Sequence, residues 1–315
     1  MEIDLTPKSS KYVYGGEGGS YFSWSPSDYE GNTGASKVIL QKNGLAMTSY
    51  TDSAKVAYVL QGSGTAGIIL YEAKKEKVIA VTVGDAIALP FGVVTWWFNQ
   101  NDTELVVLFM GDTSESANGI FIGFTTKFVG RAWDLEEDKV KEIVGSQKTR
   151  KNEKGMALNC LEARLDVDIK NGGHVVVLNT KNLPSVEQVG LGADLVRINA
   201  GSMCSPGFSC DSAYPVTYIV QVSGRAQIVG VDGKRKMEIR VKAGNLFHRP
   251  QTLVVSKIAD EEGMDWFSVI SIPNPILCDL AGRTSASPDV APEAENHLRY
   301  KRTAEIFFPT PNKEE

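Results

Sequence analysis

Apolar positions along this chain fall in short runs rich in β-branched residues. KVIL (37–40), KVAYVL (55–60), AGIILY (66–71), KVIAVTV (77–83) and ELVVLFM (104–110) occupy the first half. HVVVLN (174–179), VTYIVQV (216–222), AQIVGV (226–231), TLVVSKI (252–258) and WFSVISI (266–272) occupy the second. Runs of this length and composition, bounded by Gly, Asn, Asp and Pro, read as strands. Their close spacing leaves no room for crossover helices, so the pattern predicts an all-β chain with an antiparallel sandwich or barrel, a jelly roll, in each half. Two segments read as helices instead: 134–145, where Asp134 caps an acidic first turn, and 294–306 (AENHLRYKRTAEI).

The halves repeat one another. YVLQGSGTAGI (58–68) and YIVQVSGRAQI (218–228) agree at six of eleven positions with an offset of 160 residues. The same offset lays Gly84, Pro90 and Val94 over Gly244, Pro250 and Val254. A shared register in distant segments predicts a duplicated domain. The polar, Lys-rich stretch after the first helix sets the expected boundary near 150, with domains at 1–150 and 151–315. The Gly-rich start, YGGEGGSYFSW (14–24), lacks the lysine and the strand–loop–helix setting of a phosphate loop, and reads as a flexible arm ending in an aromatic anchor.

Composition narrows the partners. A net charge of −5 over 315 residues, with no basic run longer than Lys234-Arg235-Lys236, gives no footprint for nucleic acid or an anionic membrane. The N-terminus carries early acids and no apolar signal core, and no run approaches the ~20 apolar residues of a membrane span. The expectation is a cytoplasmic protein. Its four cysteines follow no CxxC spacing and read as small buried hydrophobes, with a Cys204–Cys210 bridge as the alternative.

GDAIALPFGVVTWWFN (84–99) resembles the cupin motif G-x5-P-x-G-x2-H-x3-N, with Gly84, Pro90, Gly92 and Asn99 in place and Thr95 in the histidine slot. YVLQGSGTAGI, GDTSESAN (111–118), LNTKNLP (178–184) and LAGRTS (280–285) resemble, in order, stretches of the 11S or legumin-type seed storage globulins, which are bicupins. The resemblance implies two cupin jelly-roll barrels, each followed by a short helical arm, a nutrient-reservoir role, and head-to-tail assembly into a homotrimer. The short arms make a homodimer the alternative. Two departures from that family stand out: Asn159-Cys160-Leu161-Glu162 replaces the family's Asn-Gly cleavage site, implying an uncut chain, and Asp166 replaces its interchain cysteine. The chain resembles cytosolic legumin-like proteins of plants more than a true reserve protein.

Metal-binding cupins ligate their ion through three His and a Glu. The resemblance places those slots at Thr48, Tyr50, Lys55 and Thr95 in the first barrel, and at Phe208, Cys210, Pro215 and Val255 in the second. Neither set offers a ligand sphere, so no metal and no cofactor is expected. His174, His248 and His297 are too scattered to replace one, and His248 reads as structural, although its strand places it near the second cavity.

Strand alternation puts Thr95 with Trp97, and Thr48 with Tyr50. Facing inward, these residues and Lys55 would make the first barrel a pocket for a small apolar or phenolic ligand, with Cys210, His248 and Val255 as the pocket candidates of a drier, more filled second barrel. The leading expectation is therefore a non-enzymatic, storage-type bicupin with a small-molecule ligand. The alternative is a metal-independent isomerase, cyclase or lyase using Tyr50, Lys55 and Thr95, with Lys55 as base or Schiff-base amine.

Overall fold

In the computed structural model of the protein, residues 4–24, 33–51, 53–70, 75–112, 156–209, 211, 213–249, 253–279 and 307–309 are described. Both expected helices lie outside them, as does Cys210. The first strands are β1 (Lys8–Ser9), β2 (Lys11–Gly16), β3 (Gly19–Trp24), β4 (Thr33–Leu40), β5 (Leu45–Tyr50), β6 (Lys55–Gln61), β7 (Ser63–Ile69) and β8 (Lys77–Thr82). They are followed by β9 (Asp85–Leu89), β10 (Val94–Phe98), β11 (Leu105–Asp112) and β12 (Ala157–Asn159). The second half holds β13 (Val167–Ile169), β14 (Gly173–Leu178), the one-turn helix α1 (Val186–Val189), β15 (Gly192–Ile198), β16 (Ser202–Ser209) and β17 (Pro215–Val229). It continues with β18 (Arg235–Lys242), β19 (Asn245–His248), β20 (Val254–Ile270), β21 (Leu277–Asp279) and β22 (Phe307–Pro309). None of the described helices is long and apolar enough to cross a membrane.

The chain divides into two compact units, and the division falls between Leu161 and Glu162. The first ten residues join the C-terminal unit, with the N-terminal unit beginning at Lys11. The Gly-rich start is not a flexible arm: it forms the β2–β3 hairpin, continued into the sheet by β4. Trp24 and Tyr21 at its end are buried, which gives the hairpin an apolar footing despite its glycines.

The N-terminal unit is a sandwich. One sheet runs β12-β9-β6-β11-β4-β3-β2 and the other β5-β10-β7-β8. Ala57, Val59 and Val107 from the first sheet meet Ala66, Ile68, Ile79 and Trp97 from the second in one core. Asn99, the last residue of the cupin motif, is completely buried and clamps a hairpin: its Nδ2 donates to the carbonyls of Leu40 (3.0 Å) and Thr103 (2.8 Å).

The C-terminal unit repeats this plan with longer strands. Where the first unit breaks β6 from β7 and β10 from β11, β17 (15 residues) and β20 (17 residues) run through, so all its strands join one 11-stranded sheet. The register repeats with the sequence: Val56 faces Ala88 as Val216 faces His248, and Tyr58 faces Ala86 as Tyr218 faces Leu246. Turn chemistry repeats too. Asp85 accepts from Thr82 N (2.8 Å) and Asn245 from Lys242 N (3.0 Å), each side chain tying off the turn before its strand. At the break between β6 and β7 stands Gly62 at φ 76°, and the matching Val222 adopts φ 62°. Gly62 is required there because a Cβ would strike the Glu104 carbonyl oxygen; Val222 keeps the same left-handed turn against the preference of a β-branched residue.

The cysteines are not all alike. Cys160 and Cys204 are free, and Cys278 is disulfide-bonded, which corrects both the reading of four reduced thiols and the alternative of a bridge at Cys204.

Candidate functional site

The motif residues of the first barrel pack rather than enclose. Thr95 (3% exposed) and Trp97 (2%) share the inward face of β10, as alternation predicts, and the Trp97 ring meets Phe109 edge-on with centroids 5.4 Å apart. Lys55 is buried at the start of β6, on the face of Ala57 and Val59. Tyr50 is turned to the surface and packs edge-on against Phe91. The side chain of Thr48 lies outside the described atoms. A phenol facing solvent and a threonine packed in the core give no support to a catalytic trio of Tyr50, Lys55 and Thr95. Among the described residues no group of three His, Cys, Asp or Glu is placed to hold a metal, and hydroxyls, an ammonium and apolar side chains at the motif slots do not fit one.

The second barrel opens. A cavity of about 100 Å³ lies within it, room for roughly three waters at ~30 Å³ each. Ile276, 59% exposed, stands on its rim, so the cavity reaches the surface there. Val255 lines it, with Phe208 and Pro215. His248 does not: it sits on β19 between the cavity-lining Phe247 and Arg249, points the other way, and stacks on Tyr214 with ring centroids 5.9 Å apart. The expectation of a drier second barrel is therefore reversed, because residues absent from the motif slots carry charge into it.

Those residues are Lys257, Arg249 and Asp194. Lys257 projects from β20 at the register position that Trp97 holds in β10, as the pairs Lys257–Ala226 and Trp97–Ala66 show. Its Nζ lies 4.1 Å from the centroid of Trp266 and 5.5 Å from that of Phe247. Half-buried by its surface area, it lines the cavity, and burial pulls its ammonium down to about 8. Cys204 opposite is pushed by burial up to about 12; it remains a neutral thiol while Lys257 titrates and offers it no counter-charge. Arg249 stands where the first barrel has Leu89. It donates to the Gly207 carbonyl (3.1 Å) and to Ser209 Oγ (2.7 Å), while its buried Nε has no partner. Asp194 on β15 is buried, which raises its carboxyl pKa; Ser268, its cross-strand neighbour, offsets part of that, and Oδ1 has no hydrogen-bond partner. Ser268 Oγ in turn lies 3.1 Å from Thr217 Oγ1. Gly207 leaves room for the buried Asp279 carboxylate, whose Oδ1 would lie 2.7 Å from a Cβ at that position.

Lys257, Arg249 and Asp194 lie outside the slots that a metal would need, so the motif does not point to them. The visible signal was the repeat itself: carried two residues past Val255 it replaces a tryptophan with a lysine, and at Arg249 a leucine with an arginine. A cation in an interior-facing slot of a strand is expensive unless something there uses it.

The cupin family profile matches residues 5–141 and 158–298. Together with the two barrels this places the chain in the cupin family, as a bicupin of the 11S legumin type. Its relatives are seed storage proteins: the 11S globulin Ana o 2.0101 of Anacardium occidentale is 21% identical, with 90% of this chain and 84% of the relative covered. Glutelin type-D 1 of Oryza sativa subsp. japonica is likewise 21% identical, over 78% and 72%. Among solved structures, procruciferin, an 11S globulin from Brassica napus, superposes with a TM-score of 0.81 at 20% identity, covering 98% of this chain and 97% of that one. An 11S globulin from Wrightia tinctoria, described as revealing an auxin binding site, gives 0.82 at 22% identity, over 98% and 96%.

Proposed function

We propose that this protein is a storage-globulin-type bicupin whose C-terminal barrel binds a small organic acid. The observation that carries this reading is the pair of cations, Lys257 and Arg249, lining one cavity of about 100 Å³, with the Lys257 ammonium making no hydrogen bond to the described residues. An ammonium drawn out of water without an acceptor is costly, and a ligand carboxylate would supply one beside the Arg249 guanidinium. Asp194 lines the same cavity. The cavity limits that ligand to a few heavy atoms. An auxin binding site in a globulin of the same fold supports a small organic ligand for this architecture. The storage role follows the relatives, and self-association, trimeric or dimeric, belongs to the same reading.

Titration calorimetry with lactate tests the site. Binding weakened about tenfold or more by R249Q, in a protein whose circular dichroism is unchanged, is the expected result. If lactate does not bind, and native mass spectrometry of protein from its own tissue shows no bound organic acid, the reading fails. The same spectrum counts the subunits.

A further inference from the structure

We propose that Lys257 is a carbonyl-reactive amine, forming a reversible imine with a small 2-oxo acid held in the C-terminal barrel. This rests on the acid-binding reading of the same cavity and adds covalent chemistry to it.

The argument starts from what Lys257 lacks. Among the described residues its Nζ makes no hydrogen bond, and no carboxylate comes within 4.0 Å to form a salt bridge. Its contacts are the faces of Trp266 and Phe247. A lysine kept for structure is commonly held by a carboxylate; Lys257 is not, and it lines a cavity that reaches the surface at Ile276. An amine so placed is easily deprotonated, consistent with the downward pull of burial. The surrounding walls are apolar where imine hydrolysis must be slowed, with Val255 beside the two rings. The Arg249 guanidinium lines the same cavity for the carboxylate of the acid, and Asp194, a buried carboxyl whose pKa burial raises, lines it too as the group to hand over and take back a proton.

The chemistry balances without an oxidant or reductant. The neutral amine attacks the carbonyl carbon; an N–C bond forms as the C=O π pair moves to oxygen, which takes up a proton. The resulting carbinolamine loses its hydroxyl as water when the nitrogen lone pair closes the C=N bond. Amine and ketone give imine and one water, and the reverse releases the acid.

The test is reductive trapping of the intact protein with pyruvate and cyanoborohydride at pH 7.5, followed by peptide mapping. At that pH an amine with a pKa near 8 is neutral on the order of a hundredfold more often than an ordinary surface lysine. Labelling of Lys257 should therefore exceed the mean of the other lysines by at least about tenfold, and excess lactate should suppress it. K257R, which has no nucleophilic amine, should lose the adduct. Equal labelling of all lysines, an unlabelled Lys257, or labelling that excess lactate leaves unchanged would overturn the inference. The lactate competition needs no variant, so misfolding of K257R leaves the test decisive. If lactate binds and pyruvate is not trapped, imine chemistry fails while acid binding stands. If lactate does not bind, the acid-binding reading fails first.

Discussion

Lys257 burdens the barrel that contains it. Its pKa in the folded protein is near 8 and in the unfolded chain near ~10.4, so below pH 8 both states carry the proton and the full burden of burial is present. Between the two values the native state has released its proton and the unfolded state has not, so on this group's account stability rises with pH, and the burden is gone above the unfolded value. K257M should accordingly stabilise the protein by roughly 1–3 kcal/mol at neutral pH, with the gain fading above about pH 10, as chemical denaturation at several pH values would show. A gain without pH dependence would mean the ammonium is not desolvated. Residues of this kind are hard to read from sequence, since VVSKIAD resembles an ordinary strand with one surface lysine. Only the register shows that Lys257 points inward. Thr95 and Trp97 were legible because the motif and the two-residue alternation agree about them.

At the scale of strands, the two halves solve the same turn differently. Gly62 and Val222 share a left-handed conformation, and a left-handed β-branched residue is strained by about 1–2 kcal/mol. V222G relieves that strain, offset by added freedom in the unfolded chain and a lost half-buried side chain, and should stay within about 1 kcal/mol of the parent. G62V meets both the strain and the Glu104 carbonyl, and should lose more than about 2 kcal/mol. Urea titration of the pair measures the asymmetry; equal losses would show that Val222 is not strained. The strands themselves were readable from their β-branched runs. The β2–β3 hairpin was not, because Gly15, Gly16, Gly18 and Gly19 imitate a linker, and its stability comes from pairing with a strand further along the chain.

For the molecule as a whole, duplication was the most legible feature, since every barrel strand must repeat its register for the offset to survive. The membership of the first ten residues was invisible, being set by one short pairing and one apolar side chain: β1 joins β19, and Leu5 packs with Ile228, Leu253 and Val255. L5A should remove about 2–4 kcal/mol from the C-terminal unit. Hydrogen exchange should quicken in β17 and β20 and remain unchanged in β6 and β11, though Leu5 is far nearer the latter in sequence. Uniform loss of protection would contradict that assignment.

This arrangement also sets the order in which the protein is made. β1 precedes the first barrel in the chain and β19 follows it, so the strand waits through the synthesis of an entire barrel before its partner exists. Leu5 then docks beside Val255, on the wall of the cavity. The C-terminal cavity is thus complete only when both halves have been translated, and a chain stalled after its first barrel has no such cavity and a dangling strand edge for a chaperone to hold.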